Sequence, residues 1–568
     1  MNFVEKVGIK GCSWQSFERL ISRLLICDGY ENVRQVGGTG DHGADIIASK
    51  YKKRWLIQAK QWKKTVGVDV LNDTIKSLRD YKADIPVIAA SNGFDSTVIA
   101  QQQILHSQNI NLQLWDEKKL LERASKLPTG VITNKKKIRE YQEEAIKNIV
   151  QPFYSQYENR SLIVLATGLG KTFVAAEAVR RINATKPVRV LVLAHANSLV
   201  YQLERSFWPF LTAEQSTFIW NGYEHPDLSN GYDFVFACID TVYDAYKKNI
   251  VYDFDIIIID ECHHAGSPTY RELIDYYEAG RPSGPFLLGL TATPWRPDEN
   301  DIKDIFGEPR ISIDMVYGMK HGFLTNVDYR MYTDNIDWDS LKTFNGKLFS
   351  PKQINKTLFI NQWDDAVVTE LQKAWSEQTN PRAIVFCGTI DHAIKMRDRI
   401  NALGFCKAAA IFSGTKDAPE DQPFYERNRI MCDFSDGLIN VVCAVDIFNE
   451  GIDVPDVNII VFQRVTHSRR IFIQQLGRGL RIAEDKDKVI VLDFVSDIRR
   501  FAAGINLKDR LSVREPTRVN IPNKVTFRKV GGEDIKTERF LREWLDDVAT
   551  IEAANEDASI LKYPPQIP

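Results

Sequence analysis

A chain of 568 residues is far longer than one hydrophobic core serves, so three or four domains are expected, and its 44% hydrophobic and 26% charged residues are those of an ordinary globular protein. A formal net charge of -2 with a pI of about 6.5 excludes a global positive field as the means of holding nucleic acid, leaving any such grip to local basic patches and backbone donors. The eight cysteines form no Cys-x2-Cys pair, Met1 to Lys10 has no apolar signal core, and apolar runs such as Ile256 to Ile259 are only strand-sized; buried reduced thiols, no membrane segment and a cytoplasmic location are expected.

In chain order, Trp14, Phe17, Leu20, Ile21, Leu24 and Leu25 recur three and four apart, which predicts a helix over 14–27. Strands over Ala44 to Ala48 and Trp55 to Lys60, a helix near Val68 to Tyr81, a strand over Pro86 to Ala90, a helix after Ser96 and a strand near Asn111 to Trp115 complete a compact α/β domain, 1–125. Residues 126–137, with Pro128, Gly130 and Lys135 to Lys137, read as a linker. From 138 onward, helices alternate with runs apolar on both faces: Ser161 to Leu165, Val188 to Ala194, Phe234 to Ala237, Phe254 to Asp260 and Phe286 to Leu290. Such runs belong to a parallel sheet covered by helices. A second series, Ala383 to Cys387, Ala408 to Phe412, Val441 to Ala444, Ile459 to Phe462 and Val489 to Phe494, predicts a second domain of the same kind. The boundaries expected are 138–325 and 326–500, with Tyr332 to Gln353 read as an insertion. The extension 501–568 has one credible helix, Thr537 to Ile551, and no readable role.

Two motifs carry chemistry. Leu165, Ala166, Thr167, Gly168, Leu169, Gly170, Lys171 and Thr172 follow a strand and open a helix. The glycines let backbone N–H groups face phosphate oxygens, Lys171 reaches the β- and γ-phosphates, and Thr172 is placed to ligate Mg2+. Asp260 and Glu261 end the run Phe254 to Ile259, at the carboxyl edge where parallel sheets bind ligands. Asp260 is therefore expected to serve the Mg2+ and Glu261 to orient water at the γ-phosphorus.

This ordered set resembles the superfamily 2 helicases and translocases, in the DEAH-like branch that includes restriction-enzyme motors. The resemblance covers about 138–500 and implies two RecA-like domains hydrolysing ATP with Mg2+. It implies adenine recognition at Arg139, Tyr141 and Gln142, a phosphate loop at Thr167, Gly168, Gly170, Lys171 and Thr172, and an acidic box at Asp260, Glu261, Cys262 and His263. Thr291, Ala292 and Thr293 resemble the element that couples nucleotide state to nucleic-acid grip, and Asn449, Glu450, Gly451 and Asp453 the segment that senses nucleotide. Gln474, Gly477, Arg478 and Arg481 resemble the last ATPase motif, whose arginines stabilise the transferring phosphoryl group when the lobes close. Leu165 stands where the strictest phosphate-loop formula has glycine, which argues against a small GTPase or kinase. His195 and Ser198, Thr241, and Ser413 with Gly414 occupy places that resemble the family's strand-contacting loops, where hydroxyls and N–H groups grip phosphates without reading sequence.

At the N-terminus, alternation along Trp55 to Lys60 places Gln58 and Lys60 on one face of a strand. Asp45 is a candidate metal ligand, Lys60 a candidate to position or activate water, and Glu18, beside the apolar stripe of the first long helix, a candidate to join the metal set. The arrangement resembles the Mrr-like branch of the PD-(D/E)xK nucleases, in which glutamine replaces the second acid. This resemblance runs from Trp14 to Trp115 and includes Phe17, Glu18, Gly29, Tyr30, Gly40, Gly43, Asp45, Gln58 and Lys60; His42 reads as a loop residue. Together the two resemblances imply a DNA translocase coupled to a Mg2+-dependent endonuclease, acting on duplex DNA in restriction or anti-phage defence, with partner proteins that could supply target recognition. The alternatives are a repair helicase with an inactive DNA-binding N-terminal domain, an ATP-gated DNA clamp, and an RNA helicase. Oligomeric state, polarity and sequence specificity are unreadable.

Overall fold

The computed structural model describes residues 2–37, 43–128, 138–155, 158–226, 231–292, 302–313, 321–333, 361–412, 424–445, 457–463, 488–494 and 524–529, with 130, 228, 317–318 and 422 between them. The chain falls into two compact units, the first built on Met1–Leu165 and Gly170–Ser312, the second beginning its main run at Ile313.

The first unit opens with a five-stranded sheet of order β1 (Glu31–Gln35), β2 (Ile46–Lys50), β3 (Lys53–Lys60), β4 (Ile85–Ala90) and β5 (Gln113–Trp115). Strands β1 to β3 run antiparallel, whereas β3, β4 and β5 are parallel. The helix Trp14–Cys27 starts where the Ser13 hydroxyl accepts from the Ser16 N–H, satisfying one donor that the helix start would otherwise leave open. It buries Phe17, Leu20, Ile21, Leu24 and Leu25 against the sheet, each contributing about 1.5–3 kcal/mol. The helix Val68–Asp80 packs on β3 and β4 with Val70 and Leu71 buried.

The second sheet of this unit has the order β12 (Pro309–Ile313), β6 (Arg160–Leu165), β11 (Phe286–Thr291), β10 (Ile256–Asp260), β7 (Val190–Ala194), β9 (Phe234–Cys238) and β8 (Thr217–Trp220). From β6 to β8 every neighbouring pair is parallel. Strands β7, β9 and β11 are buried at every position, as the two-faced apolar runs predict.

The two domains of the first unit share a buried ion cluster. Arg19, on the Trp14–Cys27 helix, lies within 2.9 Å of Glu204 and 2.5 Å of Glu224, and all three are almost fully buried, at 6%, 2% and 6% exposure. The Ser13, Ser16 and Tyr201 hydroxyls donate to Glu224 at 3.1, 2.7 and 3.2 Å, and the Thr217 hydroxyl donates to Glu204 at 2.7 Å. Beside it, Arg23 donates to the Thr212 carbonyl at 2.9 Å and stacks on Phe3, whose own N–H donates to Ala213. Burial opposes the Arg19 charge, and Glu204 and Glu224 more than offset it, so the guanidinium titrates above its ordinary value. Burial likewise opposes the Glu224 charge, and Arg19 draws that carboxyl below its ordinary value.

The second unit is a seven-stranded sheet of order β15 (Ala408–Phe412), β16 (Val441–Val445), β14 (Ala383–Phe386), β17 (Ile459–Phe462), β18 (Lys488–Asp493), β13 (Asn326–Thr333) and β19 (Lys524–Lys529), parallel at every pair. The helices Asn361–Ser376 and Ile390–Ala402 bury Val367, Leu371, Ala393 and Met396 on it. Two findings differ from the sequence reading. Tyr332 and Thr333 finish a strand and do not begin an insertion, and the extension after 500 contributes β19 to this sheet. The helix expected over Thr537 to Ile551 lies outside the described residues.

Candidate functional sites

Strand β6 ends at Leu165, and after the loop 166–170 the helix Lys171–Thr185 begins. Gly170 has φ +87, a left-handed conformation that costs a side-chain-bearing residue about 1–2 kcal/mol. A Cβ there would also stand 3.0 Å from the Gln142 amide, which would have to shift by a few tenths of an ångström. Gln142, nearly buried on the helix Glu140–Tyr154, accepts from the Arg139 N–H at 3.1 Å. Of the residues expected to recognise adenine, Gln142 is thus placed against Gly170.

Across the sheet, β10 delivers Asp260 and Glu261. Lys171 Nζ lies 3.7 Å from Glu261 Oε1, with 11% and 19% of the two side chains exposed. Glu261 has φ +48, a left-handed backbone state that costs glutamate about 1–3 kcal/mol. Its other oxygen lies 3.3 Å from His263 Nδ1, and that nitrogen is 3.1 Å from the Thr291 hydroxyl at the end of β11. A contact chain therefore runs from Lys171 through Glu261 and His263 to Thr291. Burial pushes the Asp260 carboxyl up to about 6, with Glu261 adding repulsion and Lys171 partly offsetting both. Asp260 Oδ1 is buried with no hydrogen-bond partner.

In the N-terminal domain, Asp45 stands immediately before β2 and is buried. One carboxylate oxygen accepts from the Ala59 N–H at 2.7 Å and lies 3.5 Å from Lys60 Nζ. Gln58 and Lys60 project from the same face of β3, as alternation predicts. Gln58 is buried, and its amide oxygen accepts from Lys60 Nζ at 3.3 Å when its nitrogen is turned to the Val68–Asp80 helix. Asp45, Gln58 and Lys60 thus form one constellation. Glu18 is half-buried on the Trp14–Cys27 helix, one residue from the Arg19 cluster. Among the described residues, no group of three or more His, Cys, Asp and Glu side chains is placed to hold a metal.

The remaining expected contacts divide in two. His195 follows β7, and its ring lies 4.6 Å from that of His264, which neighbours the acidic box. Ser198 lies in the first turn of the helix Asn197–Phe207 and Thr241 in the first turn of the helix Ile239–Lys247, so both stand at helix starts and not in loops. Thr293, Ser413, Gly414, Asn449, Glu450, Gly451, Asp453, Gln474, Gly477, Arg478 and Arg481 lie outside the described residues, as do Gly40 and His42. Sequence reasoning missed Arg19 and Thr74. Arg19 has Gln15, Ser16, Ser22 and Arg23 three and four residues away and so reads as part of an ordinary polar helix face, and Thr74 is a hydroxyl in mid-helix, a weak signal of bonding back to the preceding turn.

Three family descriptions match in chain order: "Restriction endonuclease" of the Mrr catalytic type over 9–124, "Type III restriction enzyme, res subunit" over 135–296, and "Helicase conserved C-terminal domain" over 365–483. The chain is a fusion of an Mrr-like endonuclease domain with a superfamily 2 helicase motor. It is similar to the type I restriction enzyme EcoAI endonuclease subunit of Escherichia coli, 28% identical over 472 residues, covering 74% of this chain and 56% of that subunit. It is also similar to the DNA 3'-5' translocase XPB2 of Sulfurisphaera tokodaii, 27% identical over 405 residues, covering 64% of this chain and 83% of the translocase. The fold resembles that of the ATP-dependent type ISP restriction-modification enzyme LlaBIII bound to DNA, with TM-score 0.53 at 16% identity, covering 96% of this chain and 42% of that one. The fusion therefore spans less than two thirds of the length of the Escherichia coli relative. Among its described residues, no helix is long and apolar enough to cross a membrane.

Proposed function

We propose that this fusion is an ATP-driven translocase on duplex DNA whose N-terminal domain cuts phosphodiester bonds, serving restriction or defence against foreign DNA in the cytoplasm. The observation that carries the reading is the placement of Lys171 3.7 Å from Glu261, beside Asp260, in one unit with the Asp45, Gln58 and Lys60 constellation. Lys171 neutralises the β- and γ-phosphates. Glu261, aimed by its strained backbone and held by Lys171 and His263, orients the attacking water and takes its proton. Thr172 and Asp260 would hold the Mg2+ of the nucleotide, a role that suits the unpartnered buried oxygen of Asp260. Arg478 and Arg481 are assigned from the sequence to the closing lobe, with Gln474, Gly451 and Asp453 completing the nucleotide site. His195, Ser198, Thr241, Ser413 and Gly414 are assigned to the DNA backbone.

In the nuclease, Asp45 and the Gln58 carbonyl supply hard oxygen donors of the kind Mg2+ takes, with the remaining positions left to water, substrate phosphate and Glu18. When bound, such a cation withdraws charge from the scissile phosphate and acidifies water. Lys60, held beside Asp45, orients that water and offsets charge on the phosphate. Proteins that supply target recognition are proposed partners.

The test combines ATP hydrolysis and cleavage assays in the same tubes, with supercoiled, linear and modified DNA, with and without ATP and Mg2+. Lys171→Ala or Glu261→Gln is expected to lower ATP turnover at least about 100-fold while DNA binding persists. Asp45→Ala or Lys60→Ala is expected to abolish cutting while DNA-stimulated hydrolysis continues. Unchanged hydrolysis refutes the motor, cutting that survives both nuclease variants refutes the nuclease site, and stimulation by RNA in place of duplex DNA refutes the substrate.

A further inference from the structure

A glutamine in a metal site poses a problem that a carboxylate does not. The two ends of its amide are alike in size and opposite in chemistry, and only the oxygen can ligate a cation. Something in the fold must decide which end faces the site.

Thr74 lies on the Val68–Asp80 helix and is wholly buried. Its hydroxyl donates to the Val70 carbonyl, one turn back, at 2.8 Å. While its proton is spent on that bond the hydroxyl presents only lone pairs to Gln58 and accepts; turned to Gln58 instead, the same proton goes to an amide oxygen, so it is the Val70 carbonyl, which can only accept, that sets the preference for the nitrogen on this side. The Gln58 amide nitrogen satisfies both acceptors, donating to the Thr74 hydroxyl and to the Val70 carbonyl at 2.9 Å. Its oxygen is then turned to Lys60, which donates to it at 3.3 Å and itself lies 3.5 Å from Asp45. In the reverse orientation the amide oxygen would face a carbonyl with no proton between them, while its nitrogen would face an ammonium group. Gly43 permits the clamp: a Cβ there would come within 2.9 Å of the Asp73 backbone and 3.0 Å of the Gln58 amide, forcing helix and glutamine apart.

We propose that Thr74 is a positioning residue of the nuclease reaction, whose hydroxyl locks the Gln58 amide with its oxygen toward the Asp45 side. The proposal rests on the nuclease reading above. Thr74 touches no reacting atom; it acts through Gln58, and its loss removes one of the two acceptors, beside the Val70 carbonyl, that hold the amide nitrogen on the helix side.

The test is titration of the full-length protein with Mn2+ alone, without nucleotide, by calorimetry, alongside cleavage at varied Mg2+. Binding that Asp45→Ala removes is assigned to the nuclease site. Thr74→Val, nearly isosteric, is expected to weaken that Mn2+ binding about 10- to 100-fold and to raise the Mg2+ needed for half-maximal cleavage in proportion, as for other partners of metal ligands. Thr74→Ser keeps the hydroxyl and is expected to bind as wild type. Adding Gln58→Glu to Thr74→Val is expected to restore binding, since both ends of a carboxylate are oxygen. A folded Thr74→Val that binds Mn2+ as wild type overturns the proposal, and so does failure of Gln58→Glu to restore it. If Asp45→Ala removes no Mn2+ binding and no cleavage, the nuclease reading has failed and the proposal falls with it.

Discussion

Arg19→Met removes the cation that pairs directly with Glu204 and Glu224 between the endonuclease domain and the first motor domain, with Arg23 left as the more distant positive charge on Glu204. Two carboxylates, Glu204 and Glu224, are then left almost fully buried. Breaking a buried pair from one side costs about 3–5 kcal/mol, because the surviving charge keeps its desolvation penalty. Glu224 retains the Ser13, Ser16 and Tyr201 hydroxyls and Glu204 retains Thr217, which places the expected loss toward the lower figure. A loss of about 3 kcal/mol corresponds to roughly 6–12 °C in midpoint. The pH dependence has a definite sign. In the wild type, Glu224 has a folded pKa below its unfolded value, so its contribution is fully present above the unfolded pKa and disappears as the pH falls through the folded one. In the variant, Glu224 keeps the burial that raises its carboxyl and loses the Arg19 attraction that lowers it, so the penalty is full at neutral pH and fades on acidification. Denaturant unfolding at a series of pH values, with limited proteolysis to detect release of the N-terminal domain, measures both. A loss below about 1 kcal/mol at neutral pH, or a loss that grows on acidification, would refute the reasoning.

Gly170→Ala introduces both a left-handed alanine and a Cβ 3.0 Å from the Gln142 amide; about 1–2 kcal/mol of stability and at least tenfold in ATP affinity are the expected losses, read by melting and by nucleotide titration. In the second unit, Arg330 holds the Glu377 carboxyl down to about 2, aided by Lys488, so its contribution is present above the ordinary carboxylate range and lost as the pH falls toward 2. Glu377→Gln is expected to destabilise that unit by about 1 kcal/mol at pH 7, a figure reduced for the partial exposure of the pair, and by almost nothing near pH 2, as acid unfolding followed by circular dichroism will report.

Most strands legible in the sequence are interior ones, β6, β7, β9, β10 and β11 in one sheet and β14, β16, β17 and β18 in another, because burial on both faces writes a continuous apolar run, and the edge strands β5 and β15 are legible as well. Those missed stand at edges. Glu31–Gln35 is β1, Thr217–Trp220 is β8, Pro309–Ile313 is β12 and Lys524–Lys529 is β19, each with a single neighbouring strand and a sequence that needs no such run. Strand β13, one place in from an edge, was obscured by Asp328 and Arg330, whose charges are buried only because they pair with each other and Arg330 with Glu377. The residues proposed for the nucleotide site stand out in the sequence for a different reason. Gly168, Gly170, Lys171 and Thr172 fall within five residues of chain, and Asp260 and Glu261 sit at the end of a buried strand. Arg19 and Thr74 were not legible, since what they do is set by Glu204, Glu224 and Gln58, residues that only the tertiary fold brings to them.

The Arg19 cluster also changes what the segment 126–137 means. Read as a linker, it makes the endonuclease a tethered domain that samples many positions, with its encounters governed by linker length. A buried ion cluster, an Arg23 bond to the Thr212 carbonyl and the Phe3 bond to Ala213 instead dock that domain on the sheet that carries Lys171 and Glu261. One helix joins the docking to the segment proposed to contact DNA. Asn197–Phe207 begins at the segment assigned to the DNA backbone and carries Tyr201 and Glu204 into the cluster, while on the other side Arg19 adjoins Glu18. Under the proposed function, effective concentration would then not govern cutting: the scissile phosphate would have to be brought to a nuclease fixed in the frame of the ATP-binding domain, and ATP-driven movement of DNA past that frame would decide which phosphate is presented.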